Sequence, residues 1–171
     1  LTTVDDEARA LAESLAGVVA ALLVTRGQCT DAYTAIRRSE KFSLAAEMQW
    51  GLLPPLSFSV NGTTLSGLIE PAYEVGGDAF DYAYNAGVLD VAIFDAVGHG
   101  LQSASLSNLV VGAYRHGRRL NQTLGQLAAG MDAAARAFPR DPAFVTAVVA
   151  RLHVETGRLT WMTAGHPQPI V

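Results

Sequence analysis

The residues of this chain best suited to chemistry are two aspartates, Asp78 and Asp95. They lie on the two strands of a predicted β-hairpin, both at the end away from the turn. If the hairpin turn is the pair Ala86-Gly87, the strand register sets Asp78 directly opposite Asp95. Opposed side chains of this kind have β-carbons about 4.5–5.5 Å apart. Two carboxylates that close repel each other, so either one of them takes up a proton or a cation lies between them.

The hydrophobic pattern selects this register over that of a three-residue turn. With the shorter turn, one face of the hairpin carries the apolar pairs Tyr84–Leu89, Tyr82–Val91 and Phe80–Ile93. A three-residue turn would set Tyr82 against Asp90 and mix charged with apolar residues on both faces. The sequence therefore predicts an apolar face that ends in two carboxylates.

The surroundings of the pair favour a cation over a shared proton. Gly76-Gly77 and the segment Gly98-His99-Gly100 leave backbone exposed on both sides, and Cys29 is the only cysteine, so there is no thiolate cluster. Carboxylate and carbonyl oxygens suit Mg²⁺ or Mn²⁺. The alternative is that both aspartates are ordinary turn residues at strand ends.

A helix is predicted to begin directly after Gly98-His99-Gly100. Its free N–H groups and positive dipole end would lie beside the carboxylates, so Gly98 and Gly100 are candidates to hold a phosphate. A metal next to a bound anion is what the transfer of a phosphoryl group to water requires. His99 is a candidate general acid for the leaving oxygen, against the alternative of a capping or packing residue.

Apolar periodicity and turn signals define the elements that position these residues. We predict helices over residues 4–22, 31–53, 101–119 and 123–138, and, beside the central hairpin, strands over residues 56–60, 65–71, 144–154 and 158–163. The first strands are joined at Asn61-Gly62, and Pro54-Pro55 ends the second helix. Strands before and after the helices, joined by hairpins, indicate an α+β fold with a mostly antiparallel sheet.

Two helices carry apolar stripes. The heptad spacing of the first is carried by Val4, Ala8, Leu11, Leu15, Val18 and Leu22. This spacing fits a dimeric coil and equally a helix that packs on its own domain. In the second helix, Leu44, Met48 and Leu52 form a stripe that is expected to face the core.

The composition bounds the class of protein. Of 171 residues, 50% are hydrophobic and 16% are charged, which is typical of a folded domain. A net charge of −4 offers no basic surface for nucleic acid. We find neither a membrane span nor a signal peptide and expect a cytoplasmic protein. The chain starts at Leu1 and stops inside an apolar run, so we expect it to be a piece of a longer protein.

Other polar residues are predicted to be structural. A basic cluster at the end of a predicted helix consists of Arg115, His116, Arg118 and Arg119. Positive charge suits this end of the helix dipole, and we interpret the cluster as a solvated helix end rather than a docking patch for phosphoproteins. His166, which precedes Pro167, is expected to shape a tight turn.

Five segments in order resemble the bacterial PPM-type serine/threonine phosphatases, in the branch of the stage II sporulation protein E and the RsbU-like sigma-factor regulators of actinobacterial type. They are LAAEMQWGLLPP (44–55), EPAYEVGGDAFDY (70–82), AIFDAVGHG (92–100), FVTAVVA (144–150) and TAGHPQP (163–169). The resemblance covers residues 44–171.

The resemblance implies an α-β-β-α sandwich of mostly antiparallel sheets, here incomplete, that hydrolyses phosphoproteins with Mn²⁺ or Mg²⁺, two ions in the complete domain. It implies that Asp78 and Asp95 bind metal, that Ala96 adds its backbone carbonyl, and that Asp81 is a supporting acid. Family members continue with an acidic TDG segment and a later aspartate that complete the metal site. We therefore expect this piece alone to be weak or inactive.

The resemblance also implies a place in signal transduction. Residues 1–43 would be a helical linker from an upstream sensor, able to form a homodimer, and residues 44–171 the front part of the phosphatase domain. The substrate would be a phosphorylated STAS-type antagonist of an anti-sigma factor. The alternative is a non-catalytic regulatory or dimerisation module that keeps the phosphatase fold.

Overall fold

The structure, a computed structural model, describes residues 6–27, 42–69, 76–139 and 142–170. The chain forms two compact units, Leu1–Lys41 and Phe42–Val171. Within the described ranges, no helix is both long enough and apolar enough to cross a membrane. The second unit carries the predicted site and is described in more detail.

The first unit contains helix α1, Asp6–Gly27. It continues past the predicted end at residue 22 and ends at Gly27, a residue type that commonly ends helices. Four residues of the predicted heptad stripe, Ala8, Leu11, Leu15 and Val18, are exposed. Val4 and the side chain of Leu22 lie outside the described residues.

The second unit begins with helix α2, Leu44–Leu52. The hydroxyl of Ser43 accepts a hydrogen bond from the amide of Ala46 and so caps the first turn. The prediction of one helix over residues 31–53 is wrong at residues 42 and 43. These two residues are not helical, because Ser43 is the cap at which a new helix starts. Residues 28–41 lie outside the described residues. The helix ends before Pro54-Pro55, as predicted, with Leu53 extended.

The buried face of α2 differs from the predicted stripe. Ala45, Ala46 and Gln49 are buried, whereas Leu44 is 66% exposed. Of the predicted stripe, Leu52 packs against the core as expected. Small side chains let the helix approach its neighbour closely, so the alanines and not the larger Leu44 form the contact face.

Strands β1 (Ser57–Val60) and β2 (Thr63–Ser66) form the predicted hairpin about Asn61-Gly62. Both turn residues have positive φ, 46° and 77°, as this turn type requires. The predicted second strand, 65–71, is wrong in its bounds. The two-residue turn pairs Val60 with Thr63 at once, and the strand ends at Ser66.

A four-stranded antiparallel sheet forms the body of the unit, in the order β3-β4-β5-β6. Its strands are β3 (Gly76–Asn85), β4 (Val88–His99), β5 (Val145–His153) and β6 (Arg158–Ala164). Helices α3 (Gly100–Arg119) and α4 (Leu124–Arg136) connect β4 to β5. A capping box between Thr123 and Gln126 starts α4. The predicted α+β fold with antiparallel sheets is confirmed.

The core lies between one face of this sheet and the two long helices. Its members are Ala79, Ala92, Phe94, Ala96, Leu106, Val110, Val111, Tyr114, Leu127, Met131, Ala135, Ala147 and Val149. The sheet face with the aromatic pairs is thus not the helix-covered one, and its Ile93 is 48% exposed. The helices pack on the face with smaller residues, which also carries the buried Asp81 and Asp90.

Candidate metal centre

Asp78 on β3 stands directly opposite Asp95 on β4, which confirms the predicted register. The turn between the strands is Ala86-Gly87, with φ of 47° and 85°. A positive φ at both positions gives the hairpin the twist that matches its strands. Both aspartates are exposed at one end of the sheet, so the fold places two carboxylates side by side where solvent and ions reach them.

The carboxylate of Asp95 perturbs that of Asp78. Desolvation of the carboxyl group raises the pKa of Asp78 most, although the residue as a whole is open to solvent. The negative charge of Asp95 and a hydrogen bond with it raise the pKa of Asp78 further, whereas His166 lowers it. The pair therefore carries a repulsion that either a proton or a cation relieves.

The row of polar residues continues across the sheet. Thr146 on β5 is the partner of Asp95 on its other side. The hydroxyl oxygen of Thr146 lies 2.8 Å from Nδ1 of His166, which follows β6. The predicted turn role of His166 missed this contact, because only the sheet order brings residues 146 and 166 together.

A cavity of about 490 Å³ lies against this row. Asp78, Asp95 and His166 form its polar part. Its remaining walls come from the end of the first hairpin, the residues that follow it, and strands β3 and β4: Leu65, Ser66, Gly67, Leu68, Ile69, Ala79, Phe80, Val91, Ile93 and Phe94. The carboxylates thus stand at the edge of a mostly apolar cleft, an arrangement typical of ligand sites.

The donor set fits a hard cation. Two carboxylates supply oxygen ligands, and Mg²⁺ commonly binds one or two protein carboxylates while it keeps several waters. Among the described residues, no group of three or more His, Cys, Asp or Glu side chains is placed to hold a metal. Asp78 and Asp95 are thus only two carboxylates, which is short of a complete set of side-chain ligands in this part of the chain.

The carbonyl oxygen of Ala96, predicted as a ligand, accepts a hydrogen bond of 2.9 Å from the hydroxyl of the buried Ser103. Ala96 is itself buried and is paired with Gly77 on one side and with Val145 on the other. A side chain at Gly77 would collide with both Ala96 and Ser103. The packing of β3, β4 and α3 thus fixes this carbonyl tightly.

The structure places Asp81 away from the carboxylate pair. It lies on the helix-covered face, 1% exposed, and bonds Arg115 and Arg118, each at 2.7 Å. Two residues of the basic cluster are therefore partners of a buried acid, and the interpretation of the whole cluster as a solvated helix end is wrong for them. The supporting role implied for Asp81 would have to act through the backbone of β3.

Helix α3 begins at Gly100, one residue earlier than predicted and directly after β4. Gly98 is exposed as expected, but the expectation of exposed backbone is wrong for Gly77, which is buried. A bulge shifts the pairing between Gly76 and Gly77, and Gly98 has a φ of 88°. His99 is the N-cap of α3, exposed and without a side-chain capping bond. The first turn of α3 contains no acidic residue, which suits an anion, but His99 does not line the cavity that contains the two carboxylates.

The second half of the chain matches a known protein family. The family model of stage II sporulation protein E (SpoIIE) matches residues 85–171, half of the chain. The chain belongs to this family. The match includes Asp95, Thr146 and His166 and confirms the resemblance to PPM-type phosphatases.

A solved structure supports the same assignment of this SpoIIE family member. The crystal structure of the RsbU and RsbW domains of Rv1364c from Mycobacterium tuberculosis matches with 28% identity and a TM-score of 0.50. The match covers 54% of this chain and 26% of that chain, so the chain spans about a quarter of the relative's length. No curated protein matches the chain.

Proposed function

We propose that this protein is a metal-dependent phosphoserine/phosphothreonine protein phosphatase. The observation that carries the proposal is the opposition of Asp78 and Asp95 at the edge of a cleft, in a member of the SpoIIE family. The same pair in an unrelated fold would equally fit a shared proton. Membership of the SpoIIE family favours hydrolysis of phosphate esters over a carboxylate pair that shares a proton.

Mn²⁺ or Mg²⁺ would be held by the carboxylates of Asp78 and Asp95, with the carbonyl of Ala96 as a third ligand and a second ion in the complete domain. A bound ion of this kind acidifies a water and neutralises phosphate oxygens. The reaction would then need no covalent intermediate with the protein. Asp81 is proposed to support the site by holding β3 in place through its arginines.

The chain's own residues would handle the substrate phosphate. The backbone N–H groups at Gly98, Gly100 and the first turn of α3 would bind it, as helix N-termini bind anions. His99, at the same place, is proposed as the general acid that protonates the leaving oxygen.

The first test measures binding and hydrolysis in the full-length protein. Asp95→Asn is expected to abolish Mn²⁺ binding in a calorimetric titration and to abolish hydrolysis of a phosphoserine peptide. Asp132→Asn is the matched control, because Asp132 is exposed and pairs with Arg136 one turn along the same helix. Full activity in Asp95→Asn, or none in the wild type, would contradict the proposal and favour a non-catalytic regulatory module.

The proposed substrate is a phosphorylated STAS-type antagonist of an anti-sigma factor, which places the protein in the cytoplasm. Support comes from the family and from the similar structure, whose RsbU domain occurs together with an RsbW domain. The test is a comparison of dephosphorylation rates for such an antagonist and for an unrelated phosphoprotein. Equal rates would contradict this substrate class.

A homodimer through α1 is the second part of the partner proposal. The heptad spacing of Leu11, Leu15 and Val18 supports it, and these side chains are exposed, as are the other described side chains of α1. Leu15→Glu is expected to turn a dimer into a monomer in sedimentation experiments. A wild-type monomer would contradict the proposal.

A further inference from the structure

The imidazole of His166 is held by one side chain of the sheet. Its Nδ1 lies 2.8 Å from the hydroxyl oxygen of Thr146. Thr146 is itself fixed in the ladder opposite Asp95. The ring therefore has a defined position beside the carboxylate pair, and it lines the same cavity as Asp78 and Asp95.

The contact with Thr146 favours one tautomer of the ring. Within the described residues, the Thr146 hydroxyl has no acceptor other than Nδ1, so its proton is best placed in a bond to that nitrogen. A neutral imidazole that accepts at Nδ1 carries its hydrogen on Nε2. The negative charges of Asp78 and Asp95 nearby also favour an N–H group over a lone pair at Nε2.

An Nε2–H group cannot ligate a cation, but it can donate a hydrogen bond to an oxygen. Among the described residues, Nε2 has no protein partner. We propose that His166, positioned by Thr146, binds a phosphoryl oxygen of the substrate monoester. This inference rests on the proposed phosphatase function, since an anion enters beside two carboxylates only when their charge is neutralised.

The first experiment uses inorganic phosphate as a probe of the Mn²⁺-loaded full-length protein. His166→Ala is expected to weaken phosphate binding about tenfold, the usual loss for one hydrogen bond to a charged group, with Mn²⁺ affinity unchanged. Thr146→Val should weaken it similarly, whereas Thr146→Ser, which keeps the hydroxyl, should restore it. His153→Ala is the control, because His153 is exposed at the far end of β5.

The outcomes separate this inference from the proposed function. Wild-type phosphate affinity in His166→Ala, with Mn²⁺ binding intact, would overturn the inference and leave the phosphatase proposal standing. A wild-type protein that binds no Mn²⁺ would overturn both. A Thr146→Ser variant as weak as Thr146→Val would overturn the positioning role of the hydroxyl.

A second readout needs neither metal nor activity. Long-range ¹H–¹⁵N NMR of the imidazole is expected to show the Nε2–H tautomer of His166 in the wild type and a tautomer mixture in Thr146→Val. A wild-type ring with its hydrogen on Nδ1 would overturn the inference.

A comparison of two substrates separates phosphate binding from proton donation. If His166 binds the phosphoryl group, His166→Ala should slow hydrolysis of a phosphoserine peptide and of p-nitrophenyl phosphate equally. A loss of rate confined to the peptide would indicate proton donation and contradict the binding role.

Discussion

Oδ2 of Asp81 lies 2.7 Å from Nη1 of Arg118 in the interior between β3 and α3. Arg115 binds the other carboxylate oxygen of Asp81 and also donates a hydrogen bond of 2.6 Å to the carbonyl of Leu52 at the end of α2. One buried acid thus joins three elements. It sits three residues along β3 from Asp78, the first proposed metal ligand.

Removal of the buried Asp81 carboxylate should strongly destabilise the protein. Asp81→Ala leaves Arg118, whose side chain is 9% exposed, without its partner. Loss of one member of a buried ion pair costs about 3–5 kcal/mol of unfolding free energy. Urea unfolding measures this loss.

The exposed pair of Asp132 and Arg136 is the control for that experiment. Asp132→Ala should cost less than about 1 kcal/mol, because exposed ion pairs contribute little. Equal losses at the two sites would show that Asp81 is not the anchor that its contacts indicate.

The sequence predicted the parts of the site that depend on local rules. The alternation of side chains along a strand and the turn residues Ala86-Gly87 determine the register, and the register determines that Asp78 meets Asp95. The hairpin about Asn61-Gly62 follows from the same rules. These features need no knowledge of which element packs on which.

The parts that failed depend on packing between distant elements. From the sequence alone, Arg115 and Arg118 are typical of a solvated helix end. Only the packing of α3 on β3 brings them into contact with Asp81. The contact of His166 with Thr146 requires the order β4-β5-β6. The aromatic pairs on the hairpin suggest the core face, but the alanines on the other face allow the helices closer approach.

The carboxylate pair should make the stability of the metal-free protein depend on pH. Because the pKa of Asp78 is raised in the folded state, that state binds a proton more tightly than the unfolded chain does. The contribution to stability is present below the ordinary aspartate pKa of 3.8 and is lost as the pH rises through the raised pKa. Mn²⁺ should restore stability at neutral pH.

Asp95→Asn is the variant that checks this explanation. Desolvation of Asp78 remains, but the variant removes the Asp95 charge, the second cause of the raised pKa of Asp78. The loss of unfolding free energy between pH 4 and neutral pH should therefore be smaller than in the wild type. The measurement is urea unfolding in EDTA across that range. A pH profile identical to that of the wild type would contradict the coupling of the two carboxylates.

Gly77 should be intolerant of any side chain. A β-carbon there would collide with the Ser103 hydroxyl and with the backbone oxygen of Ala96, so Gly77→Ala should cost about 1–3 kcal/mol and weaken Mn²⁺ binding. Gly76→Ala is the control, because a β-carbon at Gly76 meets nothing within 4 Å. Thermal unfolding and Mn²⁺ titration of the two variants measure the difference, and equal behaviour would contradict the predicted packing.

Gln49 on the buried face of α2 should be replaceable with a gain in stability. It is 2% exposed, and neither polar atom of its side chain has a hydrogen-bond partner in the described part of the chain. A buried polar group without a partner costs about 1–3 kcal/mol, so Gln49→Met, of similar volume, should raise the unfolding free energy by about 1 kcal/mol. Gln102→Met on the exposed side of α3 is the control and should change little. A destabilised Gln49→Met protein would show that the Gln49 amide makes a stabilising contact.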